Sequence, residues 1–101
     1  MRKLIVTRHK GAVDWIHKHY PNTLDWEVKV EVSEADVNGA IVIGVLPPPL
    51  ASLTAKYFAI EFKSGKSPRG QEWTLEDMEN AGATLQQYEI RKGDEDVSFL
   101  S

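Results

Sequence analysis

"KLIVTRHKGAVDWIHKHYP", residues 3–21, decides how the rest of the chain is read. Its first five residues, 3–7, form a continuous run of the kind that marks a strand buried on both faces. From Gly11 the spacing changes. Ala12, Val13, Ile16 and Tyr20 fall near one face of a helix, and Pro21 stops it. Between strand and helix stand Arg8, His9 and Lys10, three consecutive residues able to carry positive charge.

Outward from this unit the elements alternate. "DWEVKVEV" (25–32) has strict period-two patterning, which predicts a half-exposed strand near an edge. In that strand Trp26, Val28, Val30 and Val32 face the core, and Glu27, Lys29 and Glu31 face water. "AIVIGVL" (40–46) is a second fully buried strand, and "PPPLASLTAKY" supplies prolines suited to a first helical turn. "YFAIEFK" (57–63) is a third sheet member. Thr74 and Asp77 form a variant capping box for the next helix, and Gly82 ends it as a left-handed cap. "ATLQQYEIRK" (83–92) is the last strand. The tail is acidic, then apolar at Phe99 and Leu100; it frays or docks on a partner, with 93–101 as a flexible end.

This order predicts a single Rossmann-like α/β domain over 1–101, with a mostly parallel sheet of about five strands and helices on both faces. One link resists it. Only "SEADVNG" (33–39) joins the second and third strands, whereas a parallel crossover takes about a dozen residues. Either one helical turn makes the crossing, or those two strands pair antiparallel.

Composition narrows the classes. The chain has 101 residues, 42% of them hydrophobic and 27% charged, which are ordinary globular values. Without cysteine it has no disulfide, thiolate metal site or thiol nucleophile, which suits a reducing cytosol and a cytoplasmic location. No stretch is long or apolar enough to span a membrane, and "MRKLIVTRHK" lacks the apolar core of a signal peptide. A net charge of −3 argues against general binding of DNA or RNA duplexes. Yet cations cluster at residues 1–19 and again at Lys63, Lys66 and Arg69, a pattern that points to a local anion site on an acidic body.

In an open α/β sheet, ligands bind beyond the carboxyl ends of the strands. Thr7 to Gly11 lies at such an end. The N–H groups that open the following helix attract phosphate, and Arg8 can add bidentate contacts. His9 can donate a hydrogen bond or move a proton near neutral pH. Lys10 adds charge, and Gly11 lets a backbone approach closely. Leu46 and Pro47, at the end of another buried strand, line the same crevice, with Ser52 and Thr54 reaching inward. The loop "KSGKSPRGQEW" (63–73) overhangs it as a lid; Lys66, Arg69 and Gln71 are its contacts, and Gly70 shapes its turn. The plain alternative is a surface loop with incidental charges.

No GxGxxG or GxxxxGK[ST] is present, so neither a dinucleotide cofactor nor a P-loop nucleotide is expected. His17 and His19 lie about 200° apart around a helix and cannot share a metal. No cofactor and no metal are expected. The acids at 72–79 suit a helical first turn, with Glu72 the exception that can act in acid–base work.

Three blocks, "VTRHKGAVDW", "IVIGVLPPPLA" and "RGQEWTLEDMENAGATLQQYEI", resemble a small family of CRISPR-associated accessory proteins from type III systems. The family pattern is T-R-H-x-G-A, then G-x-L-P, then R-G-x-E-L-[ST]. Asn38–Gly39 departs from a usual Gly-Asp, and Trp73 stands where a Leu is expected. The resemblance implies a role in cyclic oligoadenylate signalling, similar to that of ring nucleases, which bind rings of 3′–5′-linked AMP and cut them. It implies metal-independent attack by a ribose 2′-OH. Arg8 and Arg69 would stabilise charge, His9 would transfer a proton, and Glu72 would act as base or orient an arginine. A small chain beside a large ring also suggests a twofold homodimer with the crevice at its interface. Two other readings stand beside it: a protein that sequesters the ring uncut, and a structural subunit whose basic patch docks an acidic partner.

Overall fold

The computed structural model describes residues 1–63 and 72–100. Its strands are β1 (Lys3–Val6), β2 (Glu27–Lys29), β3 (Ile41–Gly44), β4 (Lys56–Phe62) and β5 (Ala83–Tyr88). The helices are α1 (Lys10–His19), α2 (Glu34–Val37), α3 (Pro48–Ala51) and α4 (Leu75–Asn80). They build one five-stranded sheet in the order β2-β1-β3-β4-β5. β2, β1, β3 and β4 run parallel, while β5 pairs antiparallel with β4. The expected α/β architecture is present, with core on both sheet faces. Leu4, Val6, Val42 and Tyr57 pack with Val37 of α2 and Ala51 of α3. Ile5 and Ile43 pack on the other face with Ala12, Trp15 and Ile16 of α1 and Met78 of α4.

The short link between β2 and β3 resolves as a parallel crossing. The two strands do not pair with each other, because β1 lies between them. The single turn of α2 carries the chain across. Its capping box joins Ser33 to Asp36 and satisfies the helix's first N–H groups.

The period-two reading of 25–32 is corrected. β2 has only three residues, and Val28 and Val30 are 45% and 60% exposed. Trp26 and Val32 pack against opposite core clusters, so no single face runs through the segment. Period two tells which side chains share a face, but a neighbouring helix must still cover that face. The edge position itself is as expected. Glu27 is exposed and Lys29 half-exposed, as assigned, and there they join Arg2 and Asp36 in an ion cluster, with Arg2 to Asp36 at 2.9 Å and Lys29 to Asp36 at 3.3 Å. The Ser33 N–H holds the Asp36 carboxyl well below the usual carboxylate range. Lys29, the Ser33 hydroxyl and Arg2 help, and partial burial opposes them.

α4 starts and stops as its sequence predicts. Thr74 and Asp77 exchange capping-box bonds, and Gly82, with φ 70°, follows its last turn. Glu79 of α4 accepts from Lys18 at 3.1 Å and meets His19 Nε2 at 2.8 Å, which ties the ends of α1 and α4 together. The tail closes in a 3-10 turn, Val97–Leu100, with Val97 and Leu100 exposed.

Candidate functional site

β1 is the point at which the strand order reverses. The chain leaves it first for β2 on one side, then reaches β3 on the other. At such a reversal the loops beyond the carboxyl ends diverge and leave a crevice. Here the crevice is a cleft of about 310 Å³. Val6, Thr7, Arg8 and His9 line it from the end of β1, with Val30 beyond β2, Val45 beyond β3, Ile60 of β4, and Trp73.

Thr7 is buried, and its backbone N–H donates to the Lys29 carbonyl at 3.1 Å. Its hydroxyl oxygen accepts from the His9 N–H at 3.2 Å, a local turn that fixes the bend from strand to helix. Arg8 is exposed and, among the described residues, makes no ion pair. Lys10 is turned to Asp14 at 3.0 Å, one turn along α1. The start of α1 differs from those of α2 and α4. The latter two carry side-chain capping boxes and acids in the first turn, whereas α1 has neither. The N-cap residue His9 and its neighbour Arg8 line the cleft at this uncapped end.

His9 lies flat on Trp73, ring centroids 4.0 Å apart and planes inclined by 10°. Phe62 meets Trp73 edge-on at 5.6 Å. Gly11 serves the chain's own backbone, for it packs directly on Trp73 and Thr74. The close approach expected at Gly11 is thus occupied from within.

The structure brings Thr7, Arg8 and His9 together and leaves Leu46, Pro47, Ser52 and Thr54 outside the cleft. Leu46 is buried in the core, with its N–H donated to the Tyr57 hydroxyl at 3.2 Å. Pro47 precedes α3 as its cap residue. Ser52 donates to the Pro49 carbonyl at 2.9 Å, and Thr54 to the Ala51 carbonyl at 2.7 Å, so both hydroxyls are spent on their own turn. Val45 takes the place assigned to Leu46, because its side chain is exposed while its neighbour points inward. Glu72 is exposed next to Trp73. Lys66, Arg69, Gly70 and Gln71, with the rest of the proposed lid from 64 to 71, lie outside the described residues.

Trp73 was the residue that sequence reasoning missed as a cleft wall. A signal existed: it precedes the Thr74 cap and shares a core cluster with Met78, the hydrophobic staple arrangement. A larger hollow of about 490 Å³ lies beside the C-terminus of α1, lined by Tyr20, Trp26, Phe58 and Leu85 among others. It holds a single 3-10 turn, Pro21–Thr23, but no α-helix N-terminus and no carboxyl end of a parallel strand, so the smaller cleft is the better candidate site.

Among the described residues, no group of three or more His, Asp or Glu side chains is placed to hold a metal ion. Likewise, no helix there is long and apolar enough to cross a membrane.

Fold and cleft together define a doubly wound α/β protein with an open crevice at its strand-order reversal. A family model described as "Putative CRISPR-associated protein (Cas_VVA1548)" matches residues 4–91, and the chain belongs to this CRISPR-associated family. No curated protein and no solved structure matches the chain significantly.

Proposed function

We propose that the protein is a ring nuclease of type III CRISPR signalling, which binds cyclic oligoadenylate, cyclic tetra-adenylate first, and cuts it. One observation carries the reading: Thr7, Arg8 and His9 gather beside the uncapped start of α1, in the cleft at the carboxyl end of β1. Membership of a CRISPR-associated family supports it.

In the reaction a ribose 2′-oxygen attacks the adjacent phosphorus and the bond to the 5′-oxygen breaks. The products are a 2′,3′-cyclic phosphate and a 5′-OH. A base takes the 2′ proton, and an acid returns one to the departing 5′-oxygen. Arg8 and the first N–H groups of α1 meet charge on the phosphoryl oxygens. Arg69 is assigned the same task by the family pattern. His9 is the acid, and Glu72 is the base or the partner of an arginine. A homodimer would set two clefts around one twofold ligand. The chain's own residues carry every step in this scheme, without a metal.

The test is a time course of purified protein with cyclic tetra-adenylate, run with and without a chelator and resolved by chromatography. Linear products ending in 2′,3′-cyclic phosphate are expected in both arms. Intact ring released only after denaturation would replace cleavage with sequestration. Neither retention nor cleavage across ring sizes would remove both readings and favour a structural subunit.

A further inference from the structure

The cleft is built for more than a phosphate. Val30 and Val45 stand 60% and 66% exposed on its rim, and Ile60 and Val6 continue the apolar wall. A phosphate placed against such walls would lose water and gain no donors. A flat heterocycle would gain apolar contact there, because every nucleobase has a π face with little need of hydrogen bonds across it. The His9–Trp73 stack, braced by Phe62, supplies that surface.

We propose that the cleft receives one adenine ring of the ligand, stacked against the His9–Trp73 pair, while Arg8 meets the phosphate of the same nucleotide. This rests on the cyclic oligoadenylate reading above and adds to it which part of the ligand enters the cleft. Size sets the stoichiometry. At about 310 Å³ the cleft lies at the lower end of the range for small-molecule sites, about 300–1,000 Å³. It holds one nucleotide and not a ring of four, so a second base must go to a second copy of the chain. Stacking uses the faces of the imidazole and hydrogen bonding uses its edge. His9 can therefore hold the base and still hand a proton to the neighbouring 5′-oxygen.

The probes are adenosine 5′-monophosphate, ribose 5-phosphate and cyclic tetra-adenylate, each added to the full chain. Its three tryptophans give three indole N–H signals in a ¹H–¹⁵N spectrum, and the one that disappears in Trp73→Phe is that of Trp73. Adenosine monophosphate should shift this signal, and ribose 5-phosphate should leave it in place. Trp73→Leu should weaken adenosine monophosphate about 5- to 150-fold, the span of one base stack. Trp73→Phe, which keeps a ring, should lose far less. With cyclic tetra-adenylate, His9→Phe should keep KM near that of the parent and lose kcat, whereas His9→Ala should lose both. Equal affinity for the two monophosphates, or full affinity in Trp73→Leu, would overturn the stacked base and leave the anion site standing. The opposite result, adenosine monophosphate bound through Trp73 with cyclic tetra-adenylate neither retained nor cut, would sink the ring nuclease and leave the base site.

Discussion

Gly11 and Trp73 meet where no side chain fits: a β-carbon on Gly11 would lie 2.0 Å from the Trp73 carbonyl oxygen. This contact seats the first turn of α1 on the segment that leads into α4. It also brings the ring of His9, two residues earlier, over the ring of Trp73.

Gly11→Ala should therefore force the two backbones apart. Overpacking of this kind costs about 1–3 kcal/mol. For a chain of this size, about 4–8 °C of Tm is lost per kcal/mol. Calorimetry should show that drop, and His9 should lose its upfield ring-current shift with it. An unchanged Tm would mean that the contact yields without cost.

Tyr57→Phe should loosen the β3 end of the crevice. The Tyr57 hydroxyl accepts from the Leu46 N–H at 3.2 Å and donates to the Gly44 carbonyl at 3.0 Å, all in the core. Without it, a buried N–H is left unpaired, at a cost of about 1–3 kcal/mol. Urea unfolding should give a lower midpoint with an unchanged slope, and amide exchange at Leu46 should quicken.

Arg8→Ala should lower cleavage of cyclic tetra-adenylate about 100- to 1,000-fold, the usual loss for one donor to a developing oxyanion. Lys10→Ala is the control. Lys10 already faces Asp14, so its removal should change the rate far less. Equal losses in the two variants would show that only general charge matters.

Acid should weaken the β2 edge through Asp36. Its carboxyl titrates lower in the folded chain than its ordinary value of 3.8, so folding favours the ionised form. That contribution is complete above the unfolded value and is lost as pH falls through the folded one. Stability of the parent should therefore decline below about pH 4, while Asp36→Asn should start lower and decline less steeply over the same window. Parallel pH–stability curves would contradict the assignment.

Sequence periodicity was enough for the buried strands. The runs at 3–7 and 40–46 each hold a strand buried on both faces, Lys3–Val6 and Ile41–Gly44, although Val45 at the end of the second run is exposed, and α1 announces itself by its apolar spacing and Pro21. The cationic turn Thr7–Lys10 was legible for the same reason, since a strand end followed by a helix start has a fixed place in such a fold.

What the chain could not declare by itself was coverage and adjacency. Val28 and Val30 have the pattern of core residues yet stand 45% and 60% exposed, since among the described residues no helix packs over them. Trp73 is 64 positions from His9, yet the two rings stack at 4.0 Å because Gly11 lets their backbones meet. Local spacing fixes the direction of each side chain from its own backbone. Only packing between distant segments decides which side chain it meets there, and the cleft is made of such meetings.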